Sequence, residues 1–449
     1  MRIALISPKG PLYRRRGGIF RKSLRYKPLT LTVLASLVPA ELEADIRLYD
    51  EGIADVPEDL QADLTGITII TGNAPRAYAL ADRLRARGVT VVLGGPHVTL
   101  LPEEAAGHAD AICVGYAEES WPRLLRDFQA GRLQREYRQA EDFRLRQDLP
   151  FPRRDLLPDA DYGYGAVFEA TRSCVHNCEF CVAPVAWGRR HYQRPVSWVV
   201  EDIRRVGARN NLFVDLNLVA DREYALELFQ ALRPLGIQWF GLSTVLIAQD
   251  HELMESMAAS GCRGLLLGLE SLSRESLRDN NKGFNAAVDY REFIRRLHEL
   301  RIAVQGCFVF GTDSDTRSVF RETADFAIEL GVDLPRYALL TPFPSTPLYQ
   351  RLEAEGRILT RNWELYDAQH VVFQPKHMSV KELEKGHEFA WKRTYALGAI
   401  ARRLRNSRNF SFFSLAANLG YRYYANHLHR FYTCDAPLPR EAAAGKDVK

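Results

Sequence analysis

The chain has 449 residues, of which 46% are hydrophobic and 26% are charged, and its formal net charge is +4. This length predicts two or three domains, and the composition is typical of a globular protein. The small net charge gives no reason to expect a nucleic-acid partner.

The sequence shows no targeting or membrane-spanning segment. The first ten residues do not have the pattern of a secretory signal peptide, and no apolar run reaches the roughly 18–20 residues of a membrane span. The seven cysteines are few and unevenly spread, which is typical of a reducing compartment. We therefore expect a cytoplasmic protein.

Residues 1–140 alternate short apolar runs with helical periodicity. The predicted strands are 2–7, 45–50, 64–71, 89–95 and 109–115, and the predicted helices are 29–41 and 74–88. This alternation predicts a doubly wound, Rossmann-like parallel sheet. Ligands bind such sheets at the carboxyl ends of the strands. The residues at those ends are Thr71, Gly72, Asn73, Gly94, Gly95, Pro96 and His97.

These strand ends are weak signals when each is taken alone. A Gly-Gly-Pro run after a strand is more often an ordinary turn, and capping of the turn that follows is the ordinary role of a loop histidine such as His97. Residues 141–165 are rich in proline and charge and lack periodicity, which predicts an interdomain linker.

The segment TRSCVHNCEFCVAP contains three cysteines, Cys174, Cys178 and Cys181. Thiolates select zinc, copper(I) or iron–sulfur clusters. A structural zinc site needs four closed ligands; the other cysteines form no second pair, so His176 would have to be the fourth ligand. An iron–sulfur cluster held by three cysteines instead leaves one iron open to a substrate.

The spacing C-x3-C-x2-C, with Phe180 before the third cysteine, resembles the cluster loop of the radical S-adenosylmethionine (SAM) enzymes. The resemblance implies that the three cysteines bind a [4Fe–4S] cluster and that SAM chelates the fourth iron. It also implies reductive cleavage of SAM to methionine and a 5′-deoxyadenosyl radical, which abstracts hydrogen from a substrate.

Residues 66–105, and their spacing from Cys174, resemble the cobalamin-binding domain of one large subgroup of these enzymes. The resemblance implies that the seven strand-end residues named above contact cobalamin. None of the 11 histidines lies in the D-x-H-x-x-G context that supplies a cobalt ligand, so we expect cobalamin without histidine ligation. A domain that has lost the cofactor is the alternative.

Residues 166–375 repeat strand–helix units and predict about six βα units, a partial TIM-like barrel with its chemistry at the carboxyl ends of the strands. The resemblance assigns SAM contacts to side chains and a glycine near those ends, and it identifies no catalytic residue. The assigned residues are Phe180, Asp215, Asn217, Ser243, Gly268 and Glu270.

Each assignment has a structural alternative. Asp215 could be a charge at a helix N-terminus, Ser243 a turn residue, and Glu270 the ion-pair partner of Arg274 or Arg278. The segment TPFPSTPL (341–348) also matches the family, in which a glycine often replaces Ser345, and we expect it to form a rigid turn.

Residues 376–449 lose the strand pattern and predict a helical region that caps the barrel mouth, followed by a disordered tail from residue 437. The alternative for this region is an aromatic and basic surface that receives a lipid-like substrate, peripherally, at the membrane face.

The sequence thus predicts cobalamin-dependent methyl transfer to an unactivated carbon of a small-molecule or lipid-like substrate, with flavodoxin or ferredoxin as electron donor. Radical cyclisation, rearrangement or oxidation without methyl transfer is the first alternative. A non-enzymatic cobalamin or iron–sulfur sensor and a zinc module are more distant ones.

Overall fold

The computed structural model describes residues 1–10, 26–163, 165–407 and 412–428. The predicted disordered tail lies outside the described residues. Among those residues, no helix combines the length and the apolar character needed to cross a lipid bilayer.

The first part of the chain forms a six-stranded, fully parallel sheet in the order β2-β1-β3-β4-β5-β6. Apolar runs such as residues 3–6 are buried on both faces, as parallel strands covered by helices require. The strands are β1 (Arg2–Ser7), β2 (Asp45–Asp50), β3 (Leu64–Thr68), β4 (Thr90–Gly94), β5 (Ala111–Val114) and β6 (Glu136–Arg138).

Helices cover both faces of this sheet and create one apolar core on each side. The strand order reverses between β1 and β3, so the carboxyl ends of the strands open a crevice there. The predicted doubly wound fold is confirmed; the edge strand β6 was not predicted. The helices are Leu29–Ser36, Ala74–Arg85, Pro96–Leu100, Pro102–Ala106 and Ser120–Gln129.

The predicted linker packs tightly on both parts of the chain. Leu149 is buried in the core of the first sheet, and its carbonyl accepts a 2.8 Å hydrogen bond from Trp198 Nε1. Arg154 forms an ion pair with Asp202 at 2.7 Å. The limits of the linker, 141 and 165, stay a prediction.

The second part of the chain forms a parallel sheet in the order β14-β13-β12-β11-β10-β7, and a separate antiparallel pair joins β8 to β9. The predicted partial barrel of six strands is confirmed. The strands are β7 (Val167–Phe168), β8 (Thr171–Arg172), β9 (Tyr192–Gln193), β10 (Asn210–Phe213), β11 (Gln238–Ser243), β12 (Cys262–Glu270), β13 (Ala303–Phe310) and β14 (Arg336–Leu339).

Side chains alternate between the two faces of this barrel sheet. In β12, Leu265, Leu267 and Leu269 are buried against the helices, whereas Gly268 and Glu270 lie half-buried on the inner face. The helices are Val182–Trp187, Val196–Val206, Arg222–Leu232, His251–Ala259, Arg274–Asp279, Tyr290–Glu299, Val319–Glu329 and Pro347–Ala354.

Helices Val380–Thr394, Leu397–Ser407 and Phe412–Asn426 confirm the helical C-terminal region. Helix Val380–Thr394 covers the edge of β14, and helix Phe412–Asn426 reaches the inner face, where the Tyr421 hydroxyl accepts a 3.2 Å hydrogen bond from Gln305 Nε2. The cap over the barrel mouth stays a prediction. His387 Nε2 lies 3.0 Å from the carbonyl of Tyr337, and Trp391 Nε1 donates to the same oxygen at 3.2 Å. The edge strand has unpaired backbone groups that these side chains satisfy.

Candidate active site

The cysteine loop follows β8 directly and is closed by a side-chain hydrogen bond. Ser173 has a φ of +66°, which turns the chain, and its Oγ donates to the carbonyl of Gly188 at 2.6 Å. Cys174, Cys178 and Cys181 are free thiols within this loop. Burial raises the pKa of Cys178 to about 11, and the charge of the nearby Lys282 acts in the opposite direction.

The three thiols are close enough for their charges to interact. In the described part of the chain, no three His, Cys, Asp or Glu side chains converge as the ligands of one metal ion do. Thiolates that each bind a different iron of a cluster need not converge on one point. The ring of His176 stacks on Phe284 with centroids 4.3 Å apart, so the residues fit the cluster better than the zinc site.

Glu270 forms an ion pair with Lys282, and both side chains are largely buried. The sequence suggested Arg274 or Arg278 as its structural partner, and the observed partner is Lys282 instead. Burial opposes the charge of Lys282, but Glu270 and the thiol of Cys178 outweigh burial and raise its pKa. The pair therefore lies beside the cysteine loop.

The backbone at the end of β12 creates the space that this pair occupies. The register with β13 shifts between Gly268 and Glu270, and Glu270 has a φ of +63°. A Cβ at position 268 would collide with the Glu270 carboxylate and the Lys282 ammonium. Phe180 lines the small hollow next to this pair, so three of the predicted SAM residues lie together.

Asp215 is buried and binds the strand that leads into the cysteine loop. It accepts hydrogen bonds from the backbone N–H of Ala170 at 3.0 Å, from the backbone N–H of Thr171, and from Thr171 Oγ1 at 2.7 Å. Burial raises the pKa of Asp215 to about 7. These partners give Asp215 a positioning role, and its SAM contact stays a prediction.

Asn217 and Ser243 occupy neighbouring strand ends. Asn217 is buried, and its Oδ1 has no hydrogen-bond partner in the described structure. Ser243 donates to the carbonyl of Thr244 at 3.0 Å, as a turn residue does. An unsatisfied buried oxygen calls for a ligand or water. This observation favours the predicted SAM contact of Asn217 over the one predicted for Ser243.

An open cavity of about 330 Å³ lies between the two sheets. One wall is formed by the carboxyl ends of β3, β4 and β5, including Gly94, Gly95 and Pro96. The other wall contains Arg172 and Trp187, which flank the cysteine loop on either side. The cavity is thus shared by the first sheet and the cysteine loop.

The lining of the cavity suits an apolar ligand surface that carries a few polar groups. Its walls are predominantly apolar, and two polar atoms in them, the Tyr116 hydroxyl and Glu118 Oε2, are buried without a hydrogen-bond partner. Gly95 has a φ of +103°, and a Cβ there would lie 2.8 Å from the backbone of Ile69. None of the described residues that line the cavity is a histidine.

Thr71, Gly72, Asn73 and His97 are buried behind the cavity wall and are not among its lining residues. Asn73 joins two strand ends, since its Oδ1 accepts from the backbone N–H of Ile70 at 2.9 Å and its Nδ2 donates to the carbonyl of Pro8 at 3.2 Å. The geometry supports cobalamin contact for the three residues 94–96 and gives no support to it for these four.

His97 belongs to a buried polar cluster that joins the first sheet to residues after the barrel. Its ring nitrogens lie 3.3 Å from Thr71 Oγ1 and 3.2 Å from Glu104 Oε1. Trp363 Nε1 donates to the same Glu104 oxygen at 3.0 Å. Burial opposes ionisation of Glu104, but hydrogen bonds from His97, Trp363 and Tyr78 outweigh it and lower the pKa of Glu104.

Arg172 is a site residue that the sequence did not indicate. Its guanidinium forms ion pairs with Glu118 of the first sheet region and, at 2.6 Å, with Glu169. The ring of Tyr116 stacks on Trp187 with centroids 6.0 Å apart. The predicted strand 109–115 ends just before Glu118, but no local pattern joins this strand end to residue 172, because the contact depends on how the two sheets pack.

Residues 25–125 match the B12 binding domain family, residues 168–327 match the Radical SAM superfamily, and residues 346–412 match a domain of unknown function. Bacteriochlorophyllide d C-12(1)-methyltransferase of Chlorobaculum tepidum is 30% identical over 84% of this chain and 84% of its own length. Bacteriochlorophyllide d C-8(2)-methyltransferase of the same organism is 32% identical over 82% of this chain and 87% of its own length.

The chain belongs to the cobalamin-binding-domain radical SAM enzymes. The fold also resembles the radical SAM methyltransferase TsrM of Kitasatospora setae, solved with cobalamin and a [4Fe–4S] cluster bound. That likeness has a TM-score of 0.63 at 17% identity and covers 79% of this chain and 78% of TsrM. The prediction of a radical SAM enzyme with a B12 binding domain is confirmed, and the alternative of a non-enzymatic sensor is wrong.

Proposed function

We propose that this enzyme transfers a methyl group to an unactivated carbon of an apolar small molecule. The observation that carries the proposal is the shared cavity, whose walls come from both the cobalamin-type sheet and the residues that flank the cysteine loop. When bound, cobalamin supplies a transferable methyl group and the reduced cluster supplies the electron that cleaves SAM to a carbon radical.

In this proposal Cys174, Cys178 and Cys181 bind the cluster, and Glu270 and Lys282 orient SAM. The carboxylate and ammonium are both largely buried, so they can act on a charged ligand with little screening by water. Arg172 fixes the position of the cysteine loop relative to Glu118 and therefore relative to cobalamin. Trp187 and Tyr116 exclude water from the space between them.

The relatives support a chlorin-type tetrapyrrole as the first substrate to test, since both are named bacteriochlorophyllide d methyltransferases. We also propose that a flavodoxin or ferredoxin supplies the electron. A cluster open at one iron is oxygen-sensitive, which suits a reducing cytoplasm. Peripheral association with a membrane stays a prediction.

The test is product analysis with anaerobically purified enzyme, reconstituted cluster, cobalamin, SAM, a reductant and bacteriochlorophyllide d. Methyl transfer predicts a methylated product together with S-adenosylhomocysteine and 5′-deoxyadenosine. Formation of 5′-deoxyadenosine without S-adenosylhomocysteine would contradict methyl transfer and favour radical cyclisation, rearrangement or oxidation.

The control is the variant in which Cys174, Cys178 and Cys181 are all replaced by alanine. We expect it to lose the iron–sulfur absorbance and SAM cleavage while its cobalamin absorbance persists, because the described cavity walls do not include these thiols. Full iron occupancy in this variant would contradict the assignment of the cluster ligands.

A further inference from the structure

Arg336 lies on the inner face of the barrel sheet. Gly268, Cys307 and Arg336 are register partners across β12, β13 and β14, and partners in parallel register share a face. The neighbours of Arg336 in its own strand point the other way, since Tyr337 is buried in the helix-covered core. Arg336 therefore faces the same space as the Glu270–Lys282 pair.

The guanidinium of Arg336 has no ion-pair or hydrogen-bond partner in the described part of the chain. The groups around it are the thiol of Cys307 and the hydroxyls of Tyr395, Tyr421 and Tyr424. None of these is a carboxylate. Arg336 is half-buried, and a cation partly withdrawn from water is stabilised by an anion that accompanies it.

Two other arginines that are largely withdrawn from solvent, Arg172 and Arg403, do have partners. Arg172 pairs with two carboxylates. Arg403, which is fully buried, donates to the carbonyls of Val332 and Asp333 at 3.0 and 2.8 Å, and to the side chain of Asn418 at 2.8 Å. Arg336 differs from these two arginines in having no such partner among the described residues.

Much of the rest of the inner face is apolar, but Gln305 of β13 and Gln238 of β11 also lie on it, and Gln305 Nε2 donates to the Tyr421 hydroxyl at 3.2 Å. The apolar residues that share it by register and alternation are Leu212, Phe240, Leu242, Leu266, Val309 and Ala338. Apolar side chains also stay exposed at the carboxyl ends, with Leu216 41% and Leu246 38% accessible. A molecule that lay along the apolar side chains of this face would therefore be mainly apolar away from Arg336.

We propose that Arg336 binds a carboxylate carried by an otherwise apolar substrate. This inference rests on the proposed function and names the substrate class. One guanidinium matches the single charge and planar shape of a carboxylate. Strands lie about 4.8 Å apart, so Arg336 is roughly 10 Å from Gly268 across two strands. The substrate must therefore place its reacting carbon about that far from its carboxylate.

The test measures binding by the holoenzyme, loaded with cluster and cobalamin, without SAM or reductant. The probes are pheophorbide a, a chlorin with one free carboxylate, and 1-pyrenebutyrate, each compared with its methyl ester by fluorescence titration. A charge-assisted hydrogen bond predicts that each acid binds about 10- to 100-fold more tightly than its ester.

Arg336→Gln should abolish the preference for the acids while leaving the affinity for the esters, the cluster absorbance and the cobalamin absorbance unchanged. Arg336→Lys should keep part of the preference. The matched control is Arg321→Gln, which changes an exposed arginine on a helix of the outer face and should keep the full preference.

Equal binding of acids and esters by the unaltered enzyme would overturn the proposal, even if Arg336→Gln did not fold. Retention of the preference in Arg336→Gln would overturn it as well. Because no turnover is involved, failure of methyl transfer with an intact acid preference would reject the proposed function and leave the carboxylate site standing.

Discussion

The buried ion pair of Glu270 and Lys282 is the feature at the residue scale with the most direct bearing on the chemistry. A buried pair of opposite charges gives little net stability, but removal of one partner leaves the other charge uncompensated. With the proposed role in SAM binding, we expect single substitutions at this pair to change both ligand binding and stability, and only a matched double variant separates the two effects.

We expect Glu270→Gln to weaken SAM binding by about 5- to 100-fold, the range for a polar contact of 1–3 kcal/mol. It should also lower thermal stability, because Lys282 loses its anion. Glu270→Gln combined with Lys282→Met should recover stability without recovering SAM affinity. Titration of the cluster-loaded enzyme with SAM and thermal melting measure the two effects.

The control for this prediction is Glu275→Gln, which changes an exposed glutamate on helix Arg274–Asp279 and should alter neither quantity. Unchanged SAM affinity in a folded Glu270→Gln variant would remove Glu270 from the site.

Ser345 shows how a family pattern translates into backbone geometry. Its φ is +63°, in the left-handed region, where glycine is the least strained residue. The family resemblance had indicated a glycine at this position. Ser345 Oγ donates to the carbonyl of Leu100 at 2.8 Å, so this serine joins the barrel to the first sheet, a contact that glycine could not make.

At the scale of elements, helix Val380–Thr394 packs closely on helix Val319–Glu329 because Gly386 leaves room for the ring of Phe320. A Cβ at position 386 would overlap that ring. We expect Gly386→Ala to destabilise the protein by about 1–3 kcal/mol, the usual cost of overpacking. The shift of the urea unfolding midpoint measures this effect.

Gly398 provides a matched control, since it also lies in a helix, Leu397–Ser407, but a Cβ there would meet no atom within 4 Å. Gly398→Ala should leave stability unchanged or raise it by about 0.5–1 kcal/mol. An equal response of the two variants would show that helix propensity, and not the contact with Phe320, decides the effect.

His387 connects the same helix to β14, and burial lowers its pKa to about 4. A histidine with a lowered pKa contributes stability that is complete above its ordinary pKa of about 6.5 and is lost as the pH falls toward 4. We expect the cluster-free protein to lose up to about 3 kcal/mol over this range.

In His387→Gln the part of the pH dependence that belongs to His387 should disappear, whereas His377→Gln, at an exposed histidine, should keep it. Urea unfolding at pH 7, 6 and 5 makes the comparison. The same pH dependence in all three proteins would contradict the role of His387.

At the scale of the whole molecule, two glutamate contacts join the first sheet region to later parts of the chain, one in the barrel and one after it. Glu118 pairs with Arg172, and Glu104 accepts from Trp363 Nε1. Both contacts lie next to the cobalamin-type strand ends. The Glu118–Arg172 pair fixes the position of the cysteine loop relative to the cavity, as the proposed transfer between two cofactors requires.

We expect cobalamin to bind without a histidine on cobalt, since the described lining of the cavity contains none. Electron paramagnetic resonance of the cob(II)alamin form should lack the superhyperfine splitting of a nitrogen ligand. Added imidazole provides the positive control. Splitting in the untreated enzyme would contradict the prediction.

Local patterns in the sequence predicted the repeated strands, the doubly wound sheet and the sheet of the partial barrel. They also marked the three clustered cysteines as a set of metal ligands. Apolar runs and helical periodicity depend on neighbours along the chain, so strands such as β1 and β2 were predicted to the residue. The cysteine spacing is likewise a property of eight consecutive positions. These features needed no knowledge of the tertiary structure.

Tertiary structure alone decided the partners of the buried charges and polar groups. Lys282 rather than Arg274 or Arg278 meets Glu270, Glu118 meets Arg172, and His97 faces Glu104 instead of the cavity. The physical reason is that a buried charge is stabilised by whichever group the packing of distant strands and helices brings to it. Sheet order and register set those neighbours, and sequence spacing does not encode them.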